Sequence, residues 1–116
     1  MEQLTFASAE HKRFYAEQLA KCQCKDCYHR ALIYTLGISE DIRNHIKQVF
    51  DVAADRINPN AIRQGWVTGT DVRILKLAFN LYNSNNKCDV SDAFRFYDDV
   101  SEYLLQGIAL GYEVLK

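Results

Sequence analysis

The stretch that decides the fold is Asp26-Cys27-Tyr28-His29-Arg30-Ala31-Leu32-Ile33-Tyr34-Thr35-Leu36-Gly37-Ile38-Ser39-Glu40-Asp41-Ile42-Arg43. It reads as one helix ended by Gly37 and a second opened by Ser39. Glycine at a helix C-terminus adopts the left-handed conformation without a Cβ penalty, so Gly37 is expected to stop the first helix that way. Two residues on, the Ser39 hydroxyl can accept from the free N–H groups of the next first turn. The result is a tight helical corner without a catalytic motif.

Helical periodicity extends outward from this corner in both directions. Upstream, Ser8 caps a helix from Ala9 to about Lys21, with His11, Phe14, Tyr15, Leu19 and Cys22 on one face. Downstream, Ile42, Ile46, Val49, Phe50, Ala53 and Ile57 predict one continuous third helix. It ends before Asn58-Pro59-Asn60, because proline disfavours helical geometry in the residue before it. A connection from Pro59 to Gly69 follows, with a short turn near Ala61-Ile62-Arg63. The next helix, with Thr70 as its expected cap, is apolar nearly all round (Val72, Ile74, Leu75, Leu77, Ala78, Phe79, Leu81, Tyr82). Such a helix belongs at the centre of a bundle. Asn83-Ser84-Asn85-Asn86 ends it. Ser91 is expected to cap a shorter helix through Tyr97, which bends at Asp98-Asp99 into a last helix ending near Leu115.

The last helix carries Gly107 and Gly111 on one side. Two interior glycines cost about 1 kcal/mol each in helix propensity. They make sense where a neighbour packs closely, whether that neighbour is internal or a second copy of the chain. The fold class is all-α: one domain over residues 1–116, a bundle of five to six helices.

Composition narrows the function classes. Hydrophobic residues make up 48% and charged residues 25% of the chain, an ordinary globular balance. No run approaches the roughly 18 apolar residues that span a bilayer, and Met1–Phe6 lacks the character of a secretion signal. Four cysteines without an export signal imply a reducing cytoplasm. The net charge of −1 lacks the basic footprint of a typical nucleic-acid binder. Charge is uneven, with net +3 over residues 1–87 and net −4 over residues 88–116.

Several segments carry candidate chemistry. Cys22-x-Cys24-x-x-Cys27-x-His29 gathers four zinc-type ligands, with Cys88 a fifth. Structural zinc sites usually pair two such knuckles. A single cluster straddling a helix end and a helix start closes poorly, so no metal and no cofactor is expected. Asp26 and His29 form a histidine–carboxylate pair that suits a general base, and a nearby thiol suits a Cys–His pair. Adjacency on one helix does not supply the mutual geometry, and no oxyanion hole is identifiable. The expectation is no enzyme, with His29 bonded to Asp26 or to a carbonyl, or bridging to the third helix. Trp66, between Gly65 and Gly69 and near Arg56 and Arg63, is either a plug at the bundle edge or an interface aromatic.

The Asp26, Tyr28-His29-x-Ala31-Leu32 run, with Tyr34, Leu36-Gly37-Ile38, Asp41-x-Arg43, Gly65-Trp66 and Arg73-x-x-x-Leu77-Ala78-Phe79-Asn80-Leu81-Tyr82, resembles a family. It is a family of small proteins, without an assigned activity, carried by mobile genetic elements of gut bacteria. The likeness covers roughly residues 10–85. The chain departs from it after the tryptophan, where Val67-Thr68-Gly69-Thr70 replaces a Gln-Thr-Ser-Gly-Ser run, and again in the acidic C-terminal third. The resemblance implies a genomic setting rather than a chemistry.

Two function classes follow. The first is a non-enzymatic, cytoplasmic, protein-binding accessory protein, in sharper form a counter-defence (anti-CRISPR-like) inhibitor of a nuclease effector. Its binding residues are Asp92, Asp98, Asp99 and Glu102, with Arg63 and Trp66 as a second patch. The acids suit a basic partner surface. The alternative is a small helical nucleic-acid-binding regulator using the Ser39–Gln48 helix, whose surface mixes charges of both signs.

Overall fold

The computed structural model describes residues 3–115. Ser8 caps the first helix as the sequence predicts, and Asp26 caps the second. The helix α1 (Ala9–Lys21) is capped by the Ser8 hydroxyl, which accepts from the His11 N–H. The helix α2 (Cys27–Leu36) is capped by the Asp26 carboxylate, which accepts from the His29 N–H at 3.0 Å. Gly37 follows α2 with φ −72°, in right-handed geometry, so the expected left-handed stop is not used. What requires glycine there is space. A Cβ would meet the Phe14 ring at 2.6 Å and the His11 ring at 2.9 Å.

The third helix is not continuous. It divides into α3 (Glu40–Asn44), capped by Ser39, and α4 (Ile46–Val49), followed by a small antiparallel hairpin of β1 (Phe50–Asp51) and β2 (Arg56–Ile57). Two polar side chains break it. His45 Nδ1 donates to the Asp41 carbonyl at 2.8 Å, taking the acceptor its own backbone N–H would have used; that N–H turns to Ile42 instead. Asn58 then takes the next carbonyls, its side chain donating to Gln48 and its backbone to Val49. Side-chain competition of this kind diverts a backbone from the helical ladder. The hairpin turn ends at Asp55, whose φ of 54° is left-handed, a conformation aspartate tolerates better than most residues.

Pro59–Arg63 forms a 3-10 turn, and α5 (Gly69–Tyr82) follows. Its cap is Thr68, not Thr70. The Thr68 hydroxyl accepts from the Asp71 N–H and the Asp71 carboxylate accepts from the Thr68 N–H, a reciprocal capping box. The next helix, α6, spans only Val90–Ala93 and is capped by Asp89 rather than Ser91. An irregular stretch leads to α7 (Ser101–Gly111), which stops short of Leu115. There are seven α-helical segments among the described residues, and the domain is mostly α.

The centre is α2 rather than α5. Every residue from Ala31 to Leu36 is fully buried, with α5, α7 and α1 packed around it. The two glycines of α7 explain how closely it approaches. A Cβ on Gly107 would collide with the Thr35 hydroxyl, and one on Gly111 would lie 3.1 Å from Leu81 and 3.4 Å from Ala31. Their neighbour is therefore internal. No helix among the described residues is long and apolar enough to cross a membrane.

Candidate interaction surface

A charged residue in the apolar register of α5 organises an exposed stretch of the surface. Arg73 is 8% exposed, and its guanidinium reaches from α5 under the chain between α6 and α7. Nε donates to the Ala93 carbonyl at 2.9 Å, one Nη to the Asp98 carboxylate at 2.7 Å, and the other to the Phe96 carbonyl at 3.3 Å. Ser101, at the start of α7, also donates its hydroxyl to the Phe96 carbonyl at 3.1 Å. The irregular stretch is thus held through its backbone and Asp98, while Phe96 and Tyr97 face outward.

Val90, Phe96 and Tyr97 lie within eight residues of chain and are all exposed, Tyr97 completely. The Phe96 ring has two guanidinium groups over it, Arg95 at 5.7 Å and Arg73 at 5.9 Å, within cation–π range. Beside it, a groove of about 550 Å³ runs between α5 and α6, lined by Thr68, Val72, Lys76, Cys88, Asp92 and Phe96 among others.

Two of the four acids singled out from sequence line this groove, Asp92 and Asp98. Asp98 is already engaged. The Arg73 guanidinium holds its carboxyl below the ordinary range against the opposing effect of partial burial, and Ser101 and the Val100 N–H add to this. Asp92, Asp99 and Glu102 are exposed. Arg63 and Trp66 lie outside the groove. Arg63 is exposed on the 3-10 turn. Trp66 is half-buried, one face stacked on His45 at 4.3 Å and 3° between planes, with its indole N–H donating to Gln64 and Gln48.

A second polar constellation forms where the α1–α2 loop meets the hairpin. His29, 7% exposed, places Nδ1 2.7 Å from the Asp26 carboxylate and Nε2 2.8 Å from that of Asp55. Tyr82 of α5 donates its hydroxyl to both the Asp55 carboxylate (2.7 Å) and the Asp55 carbonyl (3.0 Å), fixing this left-handed residue. Burial pulls the His29 pKa down, but the two carboxylates outweigh it and leave it raised. Burial pushes Asp26 up, but the hydrogen bonds from His29 and Cys24 bring it down to about 2. Both ring nitrogens are bonded to carboxylates rather than to a thiol. Cys22 is buried, with its thiol directed at the Gln18 carbonyl and its pKa pushed up chiefly by burial. Cys24 is exposed and donates to Asp26 at 3.2 Å.

Arg73 is absent from the binding residues expected from sequence. The signal that marked it was a lone cation inside an otherwise apolar helix, a residue type rarely buried without partners. Asp55 and Tyr82 had no local signal, being 26 and 53 residues from His29.

The fold and this surface define a small, mostly helical domain carrying an aromatic loop braced from beneath by a buried arginine. The model of a family of unknown function, DUF6075, matches residues 1–114, and the chain belongs to that family. No curated protein and no solved structure matches it.

Proposed function

We propose that the protein is a non-enzymatic binding module that captures a protein partner through the face formed by residues 89–102. The observation that carries this reading is the full exposure of Tyr97, beside a 60% exposed Phe96, on a loop whose backbone is held by Arg73. Aromatic and arginine side chains dominate interface energetics, each aromatic burying roughly 150–250 Å². A loop ordered before binding loses little conformational entropy on association. Exposed acids at Asp92, Asp99 and Glu102 add attraction for a basic partner and fix its register.

The sharper form of the proposal is a cytoplasmic accessory protein of a mobile genetic element that inhibits a nuclease effector by occupying its basic surface. Its supports are the net −4 of residues 88–116 and the resemblance noted from sequence. Arg63 and Trp66 are a secondary patch in this reading. The nucleic-acid alternative draws on Ser39–Gln48, which is two short helices meeting at His45 rather than one rod.

The acid contribution is tested by reversing Asp92, Asp99 and Glu102 to lysine, leaving Asp98 in place because it braces the loop. Capture of a protein partner from a bacterial lysate containing nuclease effectors should be lost. Undiminished capture would remove the acids from the account.

A further inference from the structure

We infer that Cys24, Asp26 and His29 form a binding site for one borderline divalent cation, with zinc the best chemical fit. A sulfur, a carboxylate oxygen and an imidazole nitrogen converge, all within 4.8 Å of one another. The Cys24 Sγ is 3.2 Å from Asp26 Oδ2, and Asp26 Oδ1 is 2.7 Å from His29 Nδ1. Donors around a tetrahedral zinc stand about 3.4 Å apart, given bond lengths of 2.0–2.3 Å. Spreading the Asp26–His29 pair by about 0.7 Å therefore brings these two donors to the spacing the ion needs. Mixed thiolate, imidazole and carboxylate donors suit zinc over calcium or magnesium, which take oxygen alone.

The far side of the imidazole is arranged accordingly. Histidine bound to a metal through one nitrogen characteristically gives its other N–H to a carboxylate, which fixes the tautomer and the ring plane. Asp55 occupies that position on Nε2 at 2.8 Å, and Tyr82 holds Asp55 in turn. Nδ1 is thereby aimed at Asp26, whose other oxygen receives the Cys24 thiol. The three donors come from one short loop and the first turn of α2, whose start is capped by Asp26 itself, so the fold brings them together before the ion arrives. Three protein ligands leave a fourth position for water. Binding displaces the Cys24 thiol proton and the Nδ1 proton to solvent, so affinity rises with pH.

This set differs from the four cysteine and histidine positions read from sequence. Asp26 takes part, while Cys22 is turned toward the Gln18 carbonyl.

The experiment is titration of the reduced, metal-free full-length protein with Co2+, followed by absorbance, with Zn2+ then added as competitor. One Co2+ per chain should bind, giving a sulfur-to-cobalt charge-transfer band that Zn2+ abolishes. Because Cys24 is exposed, Cys24→Ser should fold with an unchanged metal-free melting temperature, lose the band and bind at least ~tenfold more weakly. Cys27→Ser and Cys88→Ser should keep the band. Absence of a band at one equivalent, its survival in Cys24→Ser, or its loss in Cys27→Ser or Cys88→Ser overturns the assignment.

Discussion

Arg73 and Asp98 stand 25 residues apart in the chain and 2.7 Å apart in space, and their contact anchors the irregular stretch between α6 and α7 to the core. The pair is asymmetric. The arginine side chain is 9% exposed and also satisfies two backbone carbonyls, whereas the aspartate side chain is 37% exposed. Removing the arginine strands the Ala93 carbonyl and leaves the Phe96 carbonyl to Ser101 alone; removing the aspartate charge leaves the arginine its other acceptors. Arg73→Met should therefore lower the unfolding free energy by about 3 kcal/mol, and Asp98→Asn by only about 1 kcal/mol, given its exposure. Urea denaturation of both, and of the double variant, should give less than the sum of the single effects. Full additivity would mean the two act independently.

The contact between α2 and α7 gives a second expectation. Gly107 faces the Thr35 hydroxyl, which is buried and has no hydrogen-bond partner among the described residues. Gly107→Ala should destabilise by about 2 kcal/mol through overpacking, despite alanine's better helix propensity. Thr35→Ala removes both the clash and a buried unpaired oxygen, so it should recover most of that loss in the double variant. Denaturant midpoints of the three variants measure this directly, and a double variant no better than Gly107→Ala would disprove the packing argument.

These two cases mark where sequence reading stopped. The helices α1 and α2 were legible because their signals are local: the Ser8 cap before an apolar stripe for α1, and an apolar run ended by Gly37 for α2. The close approach at Gly107 and Gly111 was legible as well, since two glycines inside a helix need a reason. The break in the third helix was not. Ile42, Ile46, Val49 and Phe50 keep perfect helical spacing, and the outcome turns on Asn58 capturing the Gln48 and Val49 carbonyls from up to ten residues away. The same holds for the candidate surface. The acids were visible as composition, but the brace beneath them depends on carbonyls 20 and 23 residues from Arg73. Nothing local distinguished Asp98, which is engaged, from Asp99, which is exposed.

His11 predicts the pH dependence of stability. It is fully buried, with Nδ1 accepting from the Ala7 N–H and Nε2 donating to the Tyr34 carbonyl, the neutral tautomer. Burial pushes its pKa down to about 4 from 6.5; the Tyr34 carbonyl opposes this and Arg43 adds to it. The folded pKa lies below the unfolded one, so the unfolded chain takes up the proton first. Stability from this group is complete above pH 6.5 and falls as pH drops toward 4, by up to about 3 kcal/mol. Urea midpoints at pH 7 and pH 4.5 should differ accordingly, and His11→Gln should flatten the difference. An equal pH dependence in the variant would assign it elsewhere.

The most direct test of the binding reading is to capture partners with the tagged wild-type protein and with the Phe96→Ala/Tyr97→Ala variant, side by side and after nuclease treatment. Both side chains are exposed, so the variant should keep its stability within about 0.5 kcal/mol. The account predicts that one protein co-purifies stoichiometrically with the wild type, disappears with the variant, and is retained by a Tyr112→Ala control on a different exposed aromatic. A partner retained by the Phe96→Ala/Tyr97→Ala variant, or recovery of nucleic acid alone before nuclease treatment, would contradict it.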